Sequence, residues 1–180
     1  MPIAFVVEDG TGKADATSYV TVEEADDINA LNIHNNTAWA ALTLTQKQNL
    51  LIYSSKAVDA RTRWKGERTK LTQGLEWPRA GVKDAHGNNL SNAAVPFNVR
   101  MAVVEFAKWN ATTDRIAVDR PDSVLQEVKV DTITVKFADA SANALSQYEL
   151  PEIVVDLLRG YGSIRERQPG VAFGKVVRGA

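Results

Sequence analysis

The sequence has no cysteine. That single absence excludes disulfides, thiolate nucleophiles and every cysteine-based metal site, and it suits a reducing compartment. Histidine is almost as scarce, with only His34 and His86 present. His34 falls at a helix end and His86 in an Asn/Gly turn. Neither has a histidine or carboxylate at ligand spacing, and both are expected on the surface. No apolar run approaches the length that crosses a bilayer, so no membrane contact is expected. The segment from Met1 to Asp9 lacks a basic stretch ahead of a hydrophobic one and does not read as a secretory signal. Net charge is nearly missing too, at −1, whereas a dedicated nucleic-acid protein is usually strongly basic.

What is present is an ordinary globular composition: 180 residues, 44% hydrophobic and 24% charged, enough for one well-buried domain. The small net charge conceals polarity. Residues 1–30 hold Glu8, Asp9, Asp15, Glu23, Glu24, Asp26 and Asp27 against Lys13 alone. Residues 159–180 hold Arg159, Arg165, Arg167, Lys175 and Arg178 against Glu166. These ends are either two solvated faces or the basis of a head-to-tail contact between subunits.

Patterning predicts a mainly α fold: a bundle of three to four helices with one β-hairpin and an extended C-terminal arm. A short strand is expected over Ile3–Val7, closed by a Gly10/Gly12 turn. Thr21 and Glu24 form a capping-box pattern ahead of a helix running to about Ile33. Thr37 to Leu42 is expected to add one helical turn with Trp39 buried. Thr45 and Gln48 repeat the capping pattern before the most regular helix, roughly Gln46 to Arg63, which Gly66 should end. Gly74 to Val95 reads as loop. Pro96 is placed to open a core helix reaching about Thr112. Alternation then signals a hairpin at about 124–137, with Val128, Val130, Ile133, Val135 and Phe137 on its apolar face. An isolated hairpin is marginal, so it must lie on the helices or pair with another chain. Pro151 opens a last short helix to about Arg159. Residues 1–160 are thus read as the helical domain and 161–180 as an extended arm that orders against a partner.

A search for chemistry finds none. Gly10-Thr11-Gly12-Lys13 superficially looks like a phosphate loop, but Val7 stands where its first glycine belongs and Ala14 where a metal-binding hydroxyl is required. The acids of the first helix suit the positive end of a helix dipole. No Gly-x-Ser-x-Gly elbow occurs. The chain is expected not to be an enzyme and to hold no metal or cofactor.

The densest information lies between Arg61 and Val82, where Arg61, Arg63, Trp64, Lys65, Arg68, Lys70, Trp77 and Arg79 interleave cations with aromatics. Single-stranded nucleic acid is bound by such mixtures, bases stacking on rings and phosphates meeting cations. The other possibility is that Trp64 and Trp77 anchor an irregular loop on the core while the arginines pair with acids. Composition tips the balance toward anchoring.

The order of motifs adds a resemblance. Val7-Glu8-Asp9-Gly10, Ser18-Tyr19-Val20, Ala38-Trp39, Arg63-Trp64-Lys65-Gly66, Leu75-Glu76-Trp77-Pro78-Arg79 and Val95-Pro96 together resemble a group of tailed-phage proteins often labelled DnaT-like single-stranded DNA-binding. That architecture is similar to the head–tail adaptor (connector) proteins of long-tailed phages, and the likeness covers about residues 5–160. It implies a twelve-fold homo-oligomeric ring below the portal protein that extends the DNA channel and offers a platform to a tail terminator or stopper. It implies assembly in the host cytoplasm, residence in the virion neck, and transient non-specific contact with genomic DNA. Under it, the hairpin residues bridge subunits, and Arg165, Arg167, Phe173, Lys175 and Arg178 dock the arm on the portal. Arg63, Trp64, Arg68, Trp77 and Arg79 are then loop anchors, or the contacts of a single-stranded nucleic-acid binder in the alternative reading.

Overall fold

The computed structural model describes residues 3–32, 36–84, 86–111 and 150–165, with the backbone of 127–130 and 133–136. The fold is mainly α with one β-hairpin, as expected. Helix α1 spans Val22–Ala30. Thr21 caps it, its hydroxyl accepting from the Glu24 N–H at 3.1 Å, and Val22, Ala25 and Ile28 face inward. The four-residue helix α2 (Thr37–Ala40) buries Trp39, whose indole N–H donates to Asp26 at 2.7 Å. It is the short helical turn expected over 37–42, and with it five helices are described.

Helix α3 runs Leu44–Arg61 rather than 46–63. Its capping box is Thr43 with Gln46, not Thr45 with Gln48. Both pairs have the required spacing, and the earlier cap adds about half a turn of backbone hydrogen bonds. The helix stops at Arg61 because Thr62 turns extended, with ψ 130. Strand β1 (Thr62–Trp64) follows, its β-branched and aromatic residues suiting that conformation. Gly66 therefore does not cap a helix. With φ +66 it makes the corner into β2 (Glu67–Arg68), which pairs antiparallel with β3 (Arg79–Ala80). A Cβ there would lie 2.2 Å from the Ala80 carbonyl oxygen, so only glycine fits.

Helix α4 (Phe97–Trp109) follows Pro96, which serves as its N-cap. It is the centre of the core: Val99, Ala102, Val103, Phe106 and Ala107 are buried, with α1 and α3 packed on it. Strands β4 (Glu127–Val130) and β5 (Ile133–Lys136) form the expected hairpin, with Val130 opposite Ile133. The side chains of Val128, Val130, Ile133 and Val135, and all of Phe137, lie outside the described residues. Helix α5 (Glu152–Leu158) lays Val154 and Leu158 against α4.

Two further expectations fail. No strand forms over Ile3–Val7; only a parallel bridge joins Val7 to Ser18. The Thr17 hydroxyl takes up the backbone there, accepting from the Val6 N–H and donating to the Ala4 carbonyl. The second correction concerns the arm. Strand β6 (Gly162–Ile164) pairs antiparallel with β1, so the folded domain continues to Arg165. Arg167, Phe173, Lys175 and Arg178 lie outside the described residues. Among the described residues, no helix is long and apolar enough to cross a membrane.

Candidate functional site

The segment from Arg61 to Val82 is folded back on itself as a clamp. Strand alternation sends Trp64 inward, 9% exposed, and leaves Arg63 outside. Trp77 is wholly buried and meets Trp64 edge to face, with centroids 5.8 Å apart. Tyr161, just before β6, adds a second edge contact to Trp77 at 5.9 Å. The Trp77–Pro78 peptide is cis. The three rings thus pin an irregular loop, a strand and the C-terminal strand to one point.

Around the rings lies a polar network. Asp59 on α3 accepts from the Tyr19 hydroxyl at 2.7 and 2.8 Å, from the Trp64 indole N–H at 3.1 Å and from the Glu76 N–H at 3.0 Å. Tyr19 in turn accepts from the Trp77 N–H at 3.1 Å. Arg79, 7% exposed, donates to the Lys65 carbonyl at 2.7 Å and the Gly66 carbonyl at 2.6 Å, and to the Glu76 carbonyl and carboxylate. Arg68 is exposed and donates to the same Glu76 carboxylate at 2.5 Å. Buried Gln73 closes the turn beneath, its side chain bonding Lys70, Leu75 and Pro78 backbone.

The network shifts its acids in opposite directions. Burial pulls Glu76 upward, but the Arg68 and Arg79 guanidiniums outweigh it and hold the carboxyl below its ordinary value. Burial dominates at Asp59 and raises it to about 7, against the downward pull of its donors. A carboxyl that binds its proton more tightly folded than unfolded opposes folding once ionised. The stability linked to Asp59 is therefore full below its ordinary value of 3.8 and declines as pH rises toward about 7. Stability against urea is expected to fall between about pH 4 and pH 7, by a few kcal/mol at most, and to level off above that. Asp59→Asn should remove most of that fall. A midpoint flat across this range would show that the donors keep Asp59 charged.

Sequence reasoning named Trp64, Trp77, Arg68 and Arg79, and the structure brings these four together. Arg63 and Arg165 sit outside the clamp on the exposed side of β1 and beyond β6. Asp59 and Tyr161 were missed, and Tyr19 and Glu76 entered only as motif residues without a role. Asp59 carried a signal, since it adjoins the inward-facing Val58 of α3. Nothing local in sequence marks Tyr161. The phosphate-loop likeness also receives a physical answer. The Gly10, Gly12 and Lys13 N–H groups all donate to the carboxylate of buried Glu8, at 2.9, 2.9 and 2.8 Å. The anion this nest holds is the chain's own. Among the described residues no three His, Asp or Glu gather as a metal site.

A sequence family described as "Putative DnaT-like ssDNA binding protein" matches residues 3–179. The chain belongs to this family. The match runs through the clamp and the paired β1 and β6, so the strand at 162–164 is within the family's common extent. No curated protein and no solved structure matches the chain. In this family member the rings of Trp64 and Trp77 are packing elements and offer no face to a base.

Proposed function

We propose that the chain is a structural subunit of a tailed-phage particle, a head–tail adaptor that closes into a ring with its own copies and meets the genome only through its backbone phosphates. The observation that carries this reading is the inward turn of the basic and aromatic segment. Trp64, Trp77 and Arg79 are buried and Arg68 is tied to Glu76, so the aromatic half of a stacking site is committed to the fold. Exposed apolar side chains are among what remains for protein partners. Leu31 is 74% exposed, Leu44 60% and Leu71 95%, and Leu71 is held at the tip of the turn that Gln73 braces. Among the described residues the strands β4 and β5 pair only with each other, which leaves hairpin edges for a neighbouring copy. A ring contact of this kind is heterologous and closes by rotation.

The native mass of the purified chain, measured alone and with the portal protein of the same particle, tests the reading. A closed oligomer in either sample is the expected result. A monomer in both would overturn the ring. The second reading, single-stranded DNA binding as the main activity, is favoured by the family's description. It requires tight binding that persists at physiological salt, which electrostatic contact alone does not sustain.

A further inference from the structure

Seven cations among the described residues, Arg68 and Arg79 included, are each held by a carboxylate of the same chain. Arg63, Arg165 and Lys56 have no carboxylate partner among the described residues. The fold gathers these three. In the β1–β6 register Arg63 stands opposite Ser163, and Arg165 lies two residues further along the same face, its N–H bonded to the Arg61 carbonyl at 2.7 Å. The two arginines are thus diagonal neighbours, about 7–8 Å apart at the backbone and within reach of each other's side chains. The opposite face carries Thr62 and Trp64, both buried. Lys65 continues the exposed side past the strand, with its ammonium on the Gly160 carbonyl at 3.0 Å. Lys56 and Arg165 flank a shallow notch of about 310 Å³. The acids that also line it are engaged: Glu76 with Arg68 and Arg79, Asp59 with Tyr19 and Trp64.

We propose that the outer face of the β1–β6 ribbon, carried by Arg63, Arg165 and Lys56 with Lys65 at its end, is a track for the phosphate backbone of a nucleic-acid strand. The assignment rests on the reading that this chain meets DNA, and it moves the contact from the tryptophans to the reverse side of the strand that holds one of them. The two tryptophans near this ribbon are packed, Trp64 and Trp77 both buried, while Tyr161 is half-buried and lies edge-on to Trp77. The tryptophans therefore give bases no platform there, and the track reads charge and spacing. A strand held only in this way exchanges readily and can slide.

Anisotropy of a labelled oligothymidylate, titrated at several salt concentrations, tests the track. Three to four phosphate contacts predict a log–log salt slope of about −2 to −3 for a single strand. Arg63→Ser combined with Arg165→Ser should weaken binding about tenfold or more at low salt and flatten the slope by about 1.4. Neither side chain is a structural donor among the described residues, and an unchanged thermal melt confirms that the double variant is folded. Lys70→Ser combined with Lys83→Ser removes the same charge away from the ribbon and should leave binding near that of the unaltered protein. Equal losses in the two double variants would overturn the ribbon while leaving the DNA reading intact. Failure of the unaltered protein to bind at low salt would overturn both. A preference for single strand over duplex beyond about tenfold would signal base stacking and also overturn a phosphate-only track.

Discussion

Trp77→Ala is expected to unfold the protein outright or to remove about 3–5 kcal/mol of its stability, the range for truncating a large buried aromatic. The side chain is 0% exposed and touches both Trp64 and Tyr161 edge-on. Each such pair adds about 0.5–1.5 kcal/mol beyond the area it buries, and the cavity would lie where three separate segments converge. A domain of this size has only about 5–15 kcal/mol in total, so the loss is severe. Trp77→Phe should cost less, because the indole N–H has no hydrogen-bond partner among the described residues and only volume is lost. Thermal and urea unfolding of the two variants decide the matter. A Trp77→Ala protein that melts like the unaltered chain and loses only DNA binding would place the ring on the surface, against the packing described above.

Arg79→Ala is expected to be nearly as damaging, at about 3–5 kcal/mol, the cost of breaking a buried ion pair from one side. Its guanidinium serves the Lys65, Gly66 and Glu76 carbonyls and the Glu76 carboxylate at once. Truncation strands those acceptors at the corner where β2 and β3 meet. Arg79→Lys should rescue little, since an ammonium cannot span that fork of acceptors. Arg68→Ala bears on the same Glu76 but from an exposed position, its side chain 40% accessible, and should cost no more than about 1 kcal/mol. Unfolding free energies of the three variants give the comparison. Equal losses at 68 and 79 would contradict the inward role of Arg79.

Periodicity made the helices legible, and it placed Val99, Ala102, Val103 and Phe106 in the core correctly. Local chemistry was less decisive. Thr43 and Thr45 offer the same cap spacing, and nothing short of the backbone chooses between them. The change from helix to strand at Thr62 was hidden, because Arg61 and Val58 continue a helical face up to the residue where the chain leaves it. What decides that change is β6, a partner from the far end of the sequence. The same long-range pairing defeated the reading of the C-terminal stretch. Glycines and scattered cations there suggested an arm, yet Gly162 is needed because a side chain would meet the Arg63 carbonyl at 2.8 Å. Composition favoured the tryptophans as loop anchors over a joint nucleic-acid surface, and strand alternation shows how Trp64 and Arg63 come to lie on opposite sides. The strand itself, on which that alternation depends, was not legible in the sequence.

The closure of β1 by β6 also bears on the birth of the molecule. Trp64 and Trp77 are synthesised well before Tyr161 and Ile164, so the nascent chain carries both rings without the strand and tyrosine that complete their setting. The clamp can finish only when Arg165 has cleared the ribosome, and contacts so distant in sequence form slowly. In that interval the rings are open to chaperones and to one another in neighbouring nascent chains. Any shortened version of the protein that ends before Arg165 would remain in that unfinished state permanently.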